Sequence, residues 1–349
     1  MKIVIIGDSH FGVSKSSDIF HDYFDRSFKF LFDYIDAHDD IAEIIQTGDL
    51  FDYRREVHFN TLHRAQKYFF DRINERNMKL SVISGNHDCL FKNTNRINSV
   101  RILMDDWVKV VDMKPETCII AGMAVDLYPW INSENFEECK QFAQTSKSTV
   151  AVGHFEFAHF LLHPGTMAES GTDHKIFSRY ETVFSGHYHT QSKRDNIVYT
   201  GTPYELTWVD CNDPKGFWVY DTMSGEYEFV RNPNTLFEKI DYVDDLVYDF
   251  SQSTNKYVKI VVADKVSQKK FDDFVFNLWM AKPHDVKIIE SSVVEAVATA
   301  VSSNKIDMIS TQNVIETVID SIETPLDKNI LKQRIMAKYQ EALSITNSL

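Results

Sequence analysis

The chain has 349 residues, 43% of them hydrophobic and 25% charged, which suits a soluble globular protein with one large core or one large and one small domain. No apolar run approaches the ~20 residues a membrane helix needs, residues 3–6 are too short an apolar stretch for a signal peptide, and four scattered cysteines without CxxC spacing suit reduced thiols better than a disulfide framework or thiolate zinc site, so a cytoplasmic compartment is expected. The formal charge of −14 argues by itself against nucleic-acid binding, although a local basic patch or bound divalent ions would offset it. Along the chain, one regularity recurs: a short apolar run, a glycine and a polar residue. It occurs as IVIIGD (3–8), EIIQTGD (43–49), LSVISGNHD (80–88), TVAVGH (149–154), TVFSGH (182–187) and NIVYTGT (196–202). Each run predicts a buried strand, and the glycine lets the backbone turn close to a ligand. Between the first strands, Phe20, Phe24, Phe28, Leu31 and Ile35 make one helix face, and 57–76 repeats the pattern through Phe59, Leu62, Ala65, Phe69 and Ile73.

Strand–helix alternation predicts an α/β domain whose polar residues converge beyond the carboxyl ends of the strands. Past Asp195, GFWVYD and EYEFV predict antiparallel strands around 224–225. A boundary is expected at 232–234, giving a catalytic domain over 1–232. A small α/β capping domain follows over 233–305, with strands at 257–263 and 286–290 and a helix at 269–280. Residues 306–349 read as two helices, 311–322 and 326–343, parted by Pro325.

The polar residues at the strand ends are Asp8, His10, Asp49, Asn86, His87, Asp88, His154, His187 and His189. Carboxylate, imidazole and amide without sulfur suit manganese, iron or zinc rather than a soft metal. Phosphodiester hydrolysis at neutral pH requires a nucleophile and cations near the attacking and leaving oxygens, which two metals ~3.5–4 Å apart supply. Asp8 and His10 alternate onto one side of an extended segment, as do His187 and His189, and Asp49 is placed to bridge. Any one DxH or HxH is common by chance, and His38, His63 and His284 read as ordinary polar residues. Asp52 reads as a brace for its loop. Five such clusters in order are not chance, and Gly-Asn-His-Asp at 85–88 is the sharpest of them.

With D-x-H, G-D-x-x-D, G-N-H-D, a lone G-H and G-H-x-H in sequence, the chain resembles the calcineurin-like metallophosphoesterases over Asp8 to His189, with no departure from the pattern. The resemblance implies a pair of packed β-sheets flanked by helices. It implies one metal on Asp8, His10, Asp49 and His189, and a second on Asp49, Asn86, His154 and His187. His87 would donate a proton to the leaving oxygen and Asp88 would orient it. Manganese is the first expectation for both ions, with magnesium, iron or zinc as substitutes.

Asp8-Ser-His-Phe-Gly12, Gly48-Asp-Leu-Phe-Asp52 and Tyr199-Thr-Gly-Thr-Pro-Tyr204 are similar to the SbcD-type, meiotic-recombination-eleven branch of double-strand-break-repair nucleases, phage recombination endonuclease subunits among them. That likeness implies a DNA exonuclease or endonuclease, with an SMC-like ATPase docked on the helices after Asp307. It also implies a homodimer through 57–76 and 94–103, in a host cytoplasm if phage-encoded. Arg54, Arg55, Lys92, Arg96, Lys193 and Arg194 flank the motifs and are the candidate phosphate contacts, each also readable as a solvated charge. The rivals are a phosphatase or small-molecule phosphodiesterase on the same site, which the −14 charge favours, and a scaffold that has lost catalysis, which the full ligand set disfavours.

Overall fold

Every apolar run that ends in glycine becomes a strand of one of two sheets in the computed structural model, which describes residues 1–262 and 265–290 together with 319, 328 and 332–335. The chain divides into two units, Met1–Phe237 and Glu238–Leu349. The first unit lays down β1 (Lys2–Ile6), β2 (Ile41–Gln46), β3 (Lys79–Ile83), a hairpin of β4 (Cys89–Phe91) and β5 (Thr94–Asn98), then β6 (Lys109–Val111), β7 (Glu116–Ile120) and β8 (Met123–Tyr128). It continues with β9 (Val150–His154), a hairpin of β10 (Leu161–His163) and β11 (Thr166–Met167), then β12 (Thr182–Gly186), β13 (Ser192–Arg194), β14 (Ile197–Tyr199), β15 (Gly216–Asp221) and β16 (Tyr227–Arg231).

One six-stranded sheet runs β16-β15-β1-β2-β3-β6, the other β13-β14-β12-β9-β8-β7. β1, β2, β3 and β6 are parallel, as are β14, β12, β9 and β8; antiparallel strands finish every edge but the one at β6. The two sheets pack face to face. Ile3, Ile5, Ile45 and Ile83 of the first meet Val125, Leu127, Val150, Val152 and Phe184 of the second in one core. Alternation sends Val4, Ile6 and Ile44 to the opposite face of the first sheet.

That face is covered by the helix Asp18–Asp36, which buries all five residues of its expected apolar stripe. Aromatic rings fill the layer: Phe24 stacks on Tyr204 with centroids 4.0 Å apart, and Phe28 lies 4.7 Å from Phe69. The outer face of the second sheet is packed with Phe155, Phe177, Tyr180 and Tyr199 under the helix Phe136–Thr145.

The expected helix over 57–76 is three pieces: Phe59–Ala65, a π turn Gln66–Phe70, and Asp71–Glu75. Tyr68, Phe69 and Phe70 of the π turn are buried in succession, a wider buried face than the single stripe expected. Phe59, expected on the apolar stripe, is 88% exposed. With Leu62, Leu90, Ile97 and Ile102 it lines a shallow groove of about 260 Å³.

In the second unit β17 (Phe237–Tyr242), β18 (Tyr257–Val262) and β19 (Asp285–Glu290) form a sheet in that order, with β18 and β19 parallel. The helix Gln268–Met280 buries Phe271, Phe274 and Leu278 against Ile240, Val258 and Ile260. β17 lies outside the expected strands at 257–263 and 286–290. The expected helices 311–322 and 326–343 lie outside the described residues apart from 319, 328 and 332–335. Among the described residues no helix is long and apolar enough to cross a membrane.

Candidate metal centre

Five parallel strands deliver the site. β1 leads into Asp8 and His10, β2 into Asp49 and Asp52, β3 into Asn86, His87 and Asp88, β9 ends on His154, and β12 leads into His187 and His189. The turns that follow are tight. The Asp49 carbonyl accepts from the Ser9 and His10 N–H groups at 3.1 and 3.0 Å, joining the first two loops. A Cβ on Gly85 would overlap the Asp49 carboxylate, and one on Gly186 would overlap Asp8, so these turns admit glycine alone. Three non-glycine residues of the set sit at positive φ: His10 at 44°, Asp49 at 52° and His187 at 91°. Such strain persists only where surrounding structure over-determines it, and it concentrates at functional sites.

Among the described residues the side chains form three such groups; one is His10, Asp52 and His87, and the other two carry the expected ligands. Asp8, His10 and His189 each offer a ligand atom within 4.8 Å of the others, as do Asp49, His154 and His187. Within the first, His10 Nε2 is 3.1 Å from His189 Nε2, and His189 Nε2 is 4.0 Å from Asp8 Oδ2. Within the second, Asn86 Oδ1 lies 2.9 Å from His154 Nε2 and 2.8 Å from His187 Nδ1. Asp49 Oδ2 stands between the groups, 3.4 Å from His154 Nε2 and 3.8 Å from His10 Nε2. Backbone donors hold both carboxylates: His87 N–H donates to Asp49 Oδ1 at 2.7 Å, and His187 N–H to Asp8 Oδ2 at 2.9 Å. Asp49 therefore keeps its second oxygen facing both histidine groups.

Crowding two buried carboxylates among buried histidines drives their protonation apart. Burial raises Asp8 to about 7 against the pull of His154. For Asp49, burial works upward, but the charges of His154, His10 and His87 hold it well below the usual carboxylate range. Burial lowers His10 and His154, yet Asp52, Asp49 and Asp8 raise His10 to about 9, and Asp49 and Asp8 raise His154 to about 9. Burial, then the His154 charge, lowers His187 to about 3. Burial and the His10 charge also lower His189. A sulfur-free set of seven oxygen and nitrogen donors, shared between two groups with one carboxylate between them, fits a pair of divalent cations.

His87 sits at the rim, its ring edge-on to His10 with centroids 4.8 Å apart. Its Nδ1 donates to the Asp52 carbonyl at 2.6 Å. Asp88 departs from the expectation that it orients this ring. Its carboxylate is buried and accepts from the N–H groups of Gly85 at 2.8 Å, Leu50 at 3.1 Å and Phe51 at 3.2 Å, with Ser99 Oγ at 3.3 Å. The reason is conformational: after Asn86 the chain turns inward, so Asp88 ties the Gly85 loop to the loop that carries Asp49. Asp52, expected to brace its loop, has Oδ1 3.2 Å from His10 Nδ1. His154 Nδ1 donates to the Thr47 carbonyl at 3.0 Å. Sequence reasoning also missed Trp130, whose ring lies 5.7 Å from that of His187, and His163, 6.1 Å from the His189 ring. Neither follows a strand-glycine step, so no local signal marked them.

The basic candidates divide. Arg55, Lys92, Arg96, Lys193 and Arg194 are exposed and Arg54 is half-buried beside the groove. Arg96 is engaged by Glu134, with Nε 2.8 Å from Oε1, and Arg194 Nη1 donates to the His159 carbonyl at 3.2 Å. Lys193 lies over the Tyr227 ring at 4.9 Å.

Comparison with known proteins places this geometry. Exonuclease subunit 1 of Enterobacteria phage T4 is 31% identical over 346 residues, covering 98% of this chain and 99% of that protein. An uncharacterized protein of Acanthamoeba polyphaga mimivirus is 29% identical over 108 residues, which is 31% of this chain and 8% of that protein. A solved archaeal phosphodiesterase is 13% identical, with a TM-score of 0.34 over 66% of this chain and 99% of its own. Residues 1–191 match the calcineurin-like phosphoesterases, and every residue of the two groups falls inside that segment. The chain therefore belongs to the calcineurin-like phosphoesterase family and is a phosphoester hydrolase.

Proposed function

We propose that the protein is a metal-dependent DNA nuclease, hydrolysing phosphodiesters at a dinuclear centre during recombination and double-strand-break processing. The observation that carries this reading is the pair of donor groups, Asp8, His10 and His189 against Asp49, His154 and His187, with Asp49 Oδ2 between them and Asn86 completing the second. Likeness along nearly its whole length to a phage exonuclease subunit supports DNA as the substrate.

Asp8, His10, Asp49 and His189 would hold one ion and Asp49, Asn86, His154 and His187 the other, manganese being the first expectation. When bound, the pair supplies a nucleophile at neutral pH and positive charge at the phosphate. The protein's own residues arrange the rest. Asp49 and Asp8 are held in place by backbone N–H groups, so the donors are set before substrate arrives. His87 keeps Nδ1–H on the Asp52 carbonyl; as imidazolium it presents a second N–H at Nε2, the proton a departing 3′ or 5′ oxygen needs. The exposed Arg55 and Lys92 could hold flanking phosphates without reading bases.

In the same reading the enzyme works as a homodimer with an SMC-like ATPase subunit. Exposed Phe59, Ile97 and Ile102, on the segments expected at the dimer face, support pairing with a second copy. The ATPase would dock on the segment after Asp307. The −14 charge favours the alternative of a phosphatase or small-molecule phosphodiesterase on the same centre. Hydrolysis of linear duplex and single-stranded DNA with manganese, beside p-nitrophenyl phosphate, separates the two. DNA degradation that disappears in Asp8→Ala supports the nuclease; monoester hydrolysis alone would establish the phosphatase.

A further inference from the structure

One buried charge lies behind the metal centre and has no part in the scheme above. Lys215, immediately before β15, is 3% exposed. A buried ammonium persists only where its donors are satisfied. Here all three N–H directions have acceptors: the His189 carbonyl at 2.7 Å, Asp210 Oδ1 at 2.7 Å and Asp213 Oδ2 at 2.8 Å.

The two carboxylates are anchored in turn. Asp210 Oδ2 accepts from the Leu206 N–H at 3.0 Å and the Thr207 N–H at 2.8 Å, and Asp213 Oδ2 accepts from Thr190 Oγ1 at 3.1 Å. The His189 carbonyl takes a second donor, Thr202 N–H at 3.2 Å. Both lone pairs of that one carbonyl are therefore committed. The residue so clamped projects its ring to within 3.1 Å of His10 Nε2. β12 ends at Gly186, so no strand pairing holds His189. Lys215 and Thr202 take over that task.

We propose that Lys215 is a positioning residue: its ammonium, held by Asp210 and Asp213, grips the His189 carbonyl and sets the imidazole for the ion that Asp8 and His10 share. This rests on the dinuclear reading given above. Lys215 has no contact with the other donor group, so its effect should be confined to one ion. Losing an outer partner of a metal ligand typically weakens metal affinity about 10–100-fold.

The test is manganese titration calorimetry on the full chain, comparing wild type, His189→Ala, Lys215→Met and Lys215→Met/Asp213→Asn. The double variant removes one of the carboxylates that methionine alone would leave buried beside no cation. In both Lys215 variants one site should weaken by about 10–100-fold while the other keeps its affinity, and the weakened site should be the one lost in His189→Ala. Wild-type affinities in the Lys215 variants, with His189→Ala impaired, would overturn the positioning role alone. Equal weakening of both sites with a lowered melting temperature would make Lys215 a general structural prop and also overturn it. If His189→Ala itself leaves both affinities intact, His189 is not a ligand, and the dinuclear assignment fails together with the proposal.

Discussion

Gly48→Ala should cost the molecule both stability and metal, and the structure sets the size of the effect. Gly48 has φ 105°, a region that residues with a side chain adopt only under strain of about 1–3 kcal/mol. An added Cβ would stand 2.5 Å from His154 Nδ1 and 2.9 Å from both Cα and N of Gly85, where 3.4–4 Å is ordinary contact. The two loops would have to part by at least about half an ångström, and overpacking of that kind costs about 1–3 kcal/mol. Together these give a loss of about 2–6 kcal/mol, a large share of the ~5–15 kcal/mol that holds a domain folded. The neighbours that must move are His154, whose Nδ1 donates to the Thr47 carbonyl, and the turn leading into Asn86. Urea unfolding followed by circular dichroism reads the stability term, and manganese titration reads the site. A loss below about 0.5 kcal/mol with unchanged manganese binding would refute the claim that these turns are closed to a side chain.

Other expectations follow from the same contacts. His87→Ala should retain both metals by elemental analysis while kcat falls about 10²–10⁴-fold, as expected for removing a general acid; metal loss would make His87 a ligand. Asp52→Ala removes the carboxylate 3.2 Å from His10 Nδ1 and should weaken manganese binding about 10–100-fold, read by competition with a fluorescent chelator; unchanged affinity would leave Asp52 as a loop brace only. With His10 and His154 raised to about 9, both carry protons at neutral pH in the metal-free pocket, and a metal must displace them. Manganese binding should therefore release protons and strengthen as pH rises from 6 toward 9; identical calorimetric heats in buffers of different ionisation enthalpy would contradict this. Phe59→Glu with Ile102→Glu should shift the protein to monomer in sedimentation velocity without reducing metal content, and a dimer that survives both would move the contact elsewhere.

Much of the architecture could be read in advance because the strands that matter are buried on both faces. Continuous apolar runs such as Val150–His154 and Thr182–Gly186 leave little choice of structure, and a glycine at or after each marks where a ligand loop begins. The two donor groups were legible for the same reason. What escaped depends on three-dimensional closure. Asp88 could be seen to matter, but only the inward turn after Asn86 shows that it binds the backbone of Leu50 and Phe51 and not the His87 ring. The positive φ angles of His10, Asp49 and His187 have no signature in residue type. Phe59, the first residue of its helix, is exposed although it falls on the apolar stripe, and Lys215 reads locally as one more charge at a strand end.

The most direct test of the dinuclear claim is the manganese content of the purified, reconstituted chain, by plasma mass spectrometry, for wild type beside Asp49→Ala. If Asp49 bridges the groups, wild type should hold two ions per chain and Asp49→Ala should lose tight binding at both sites. A single ion in wild type, or two retained without Asp49, would contradict the account.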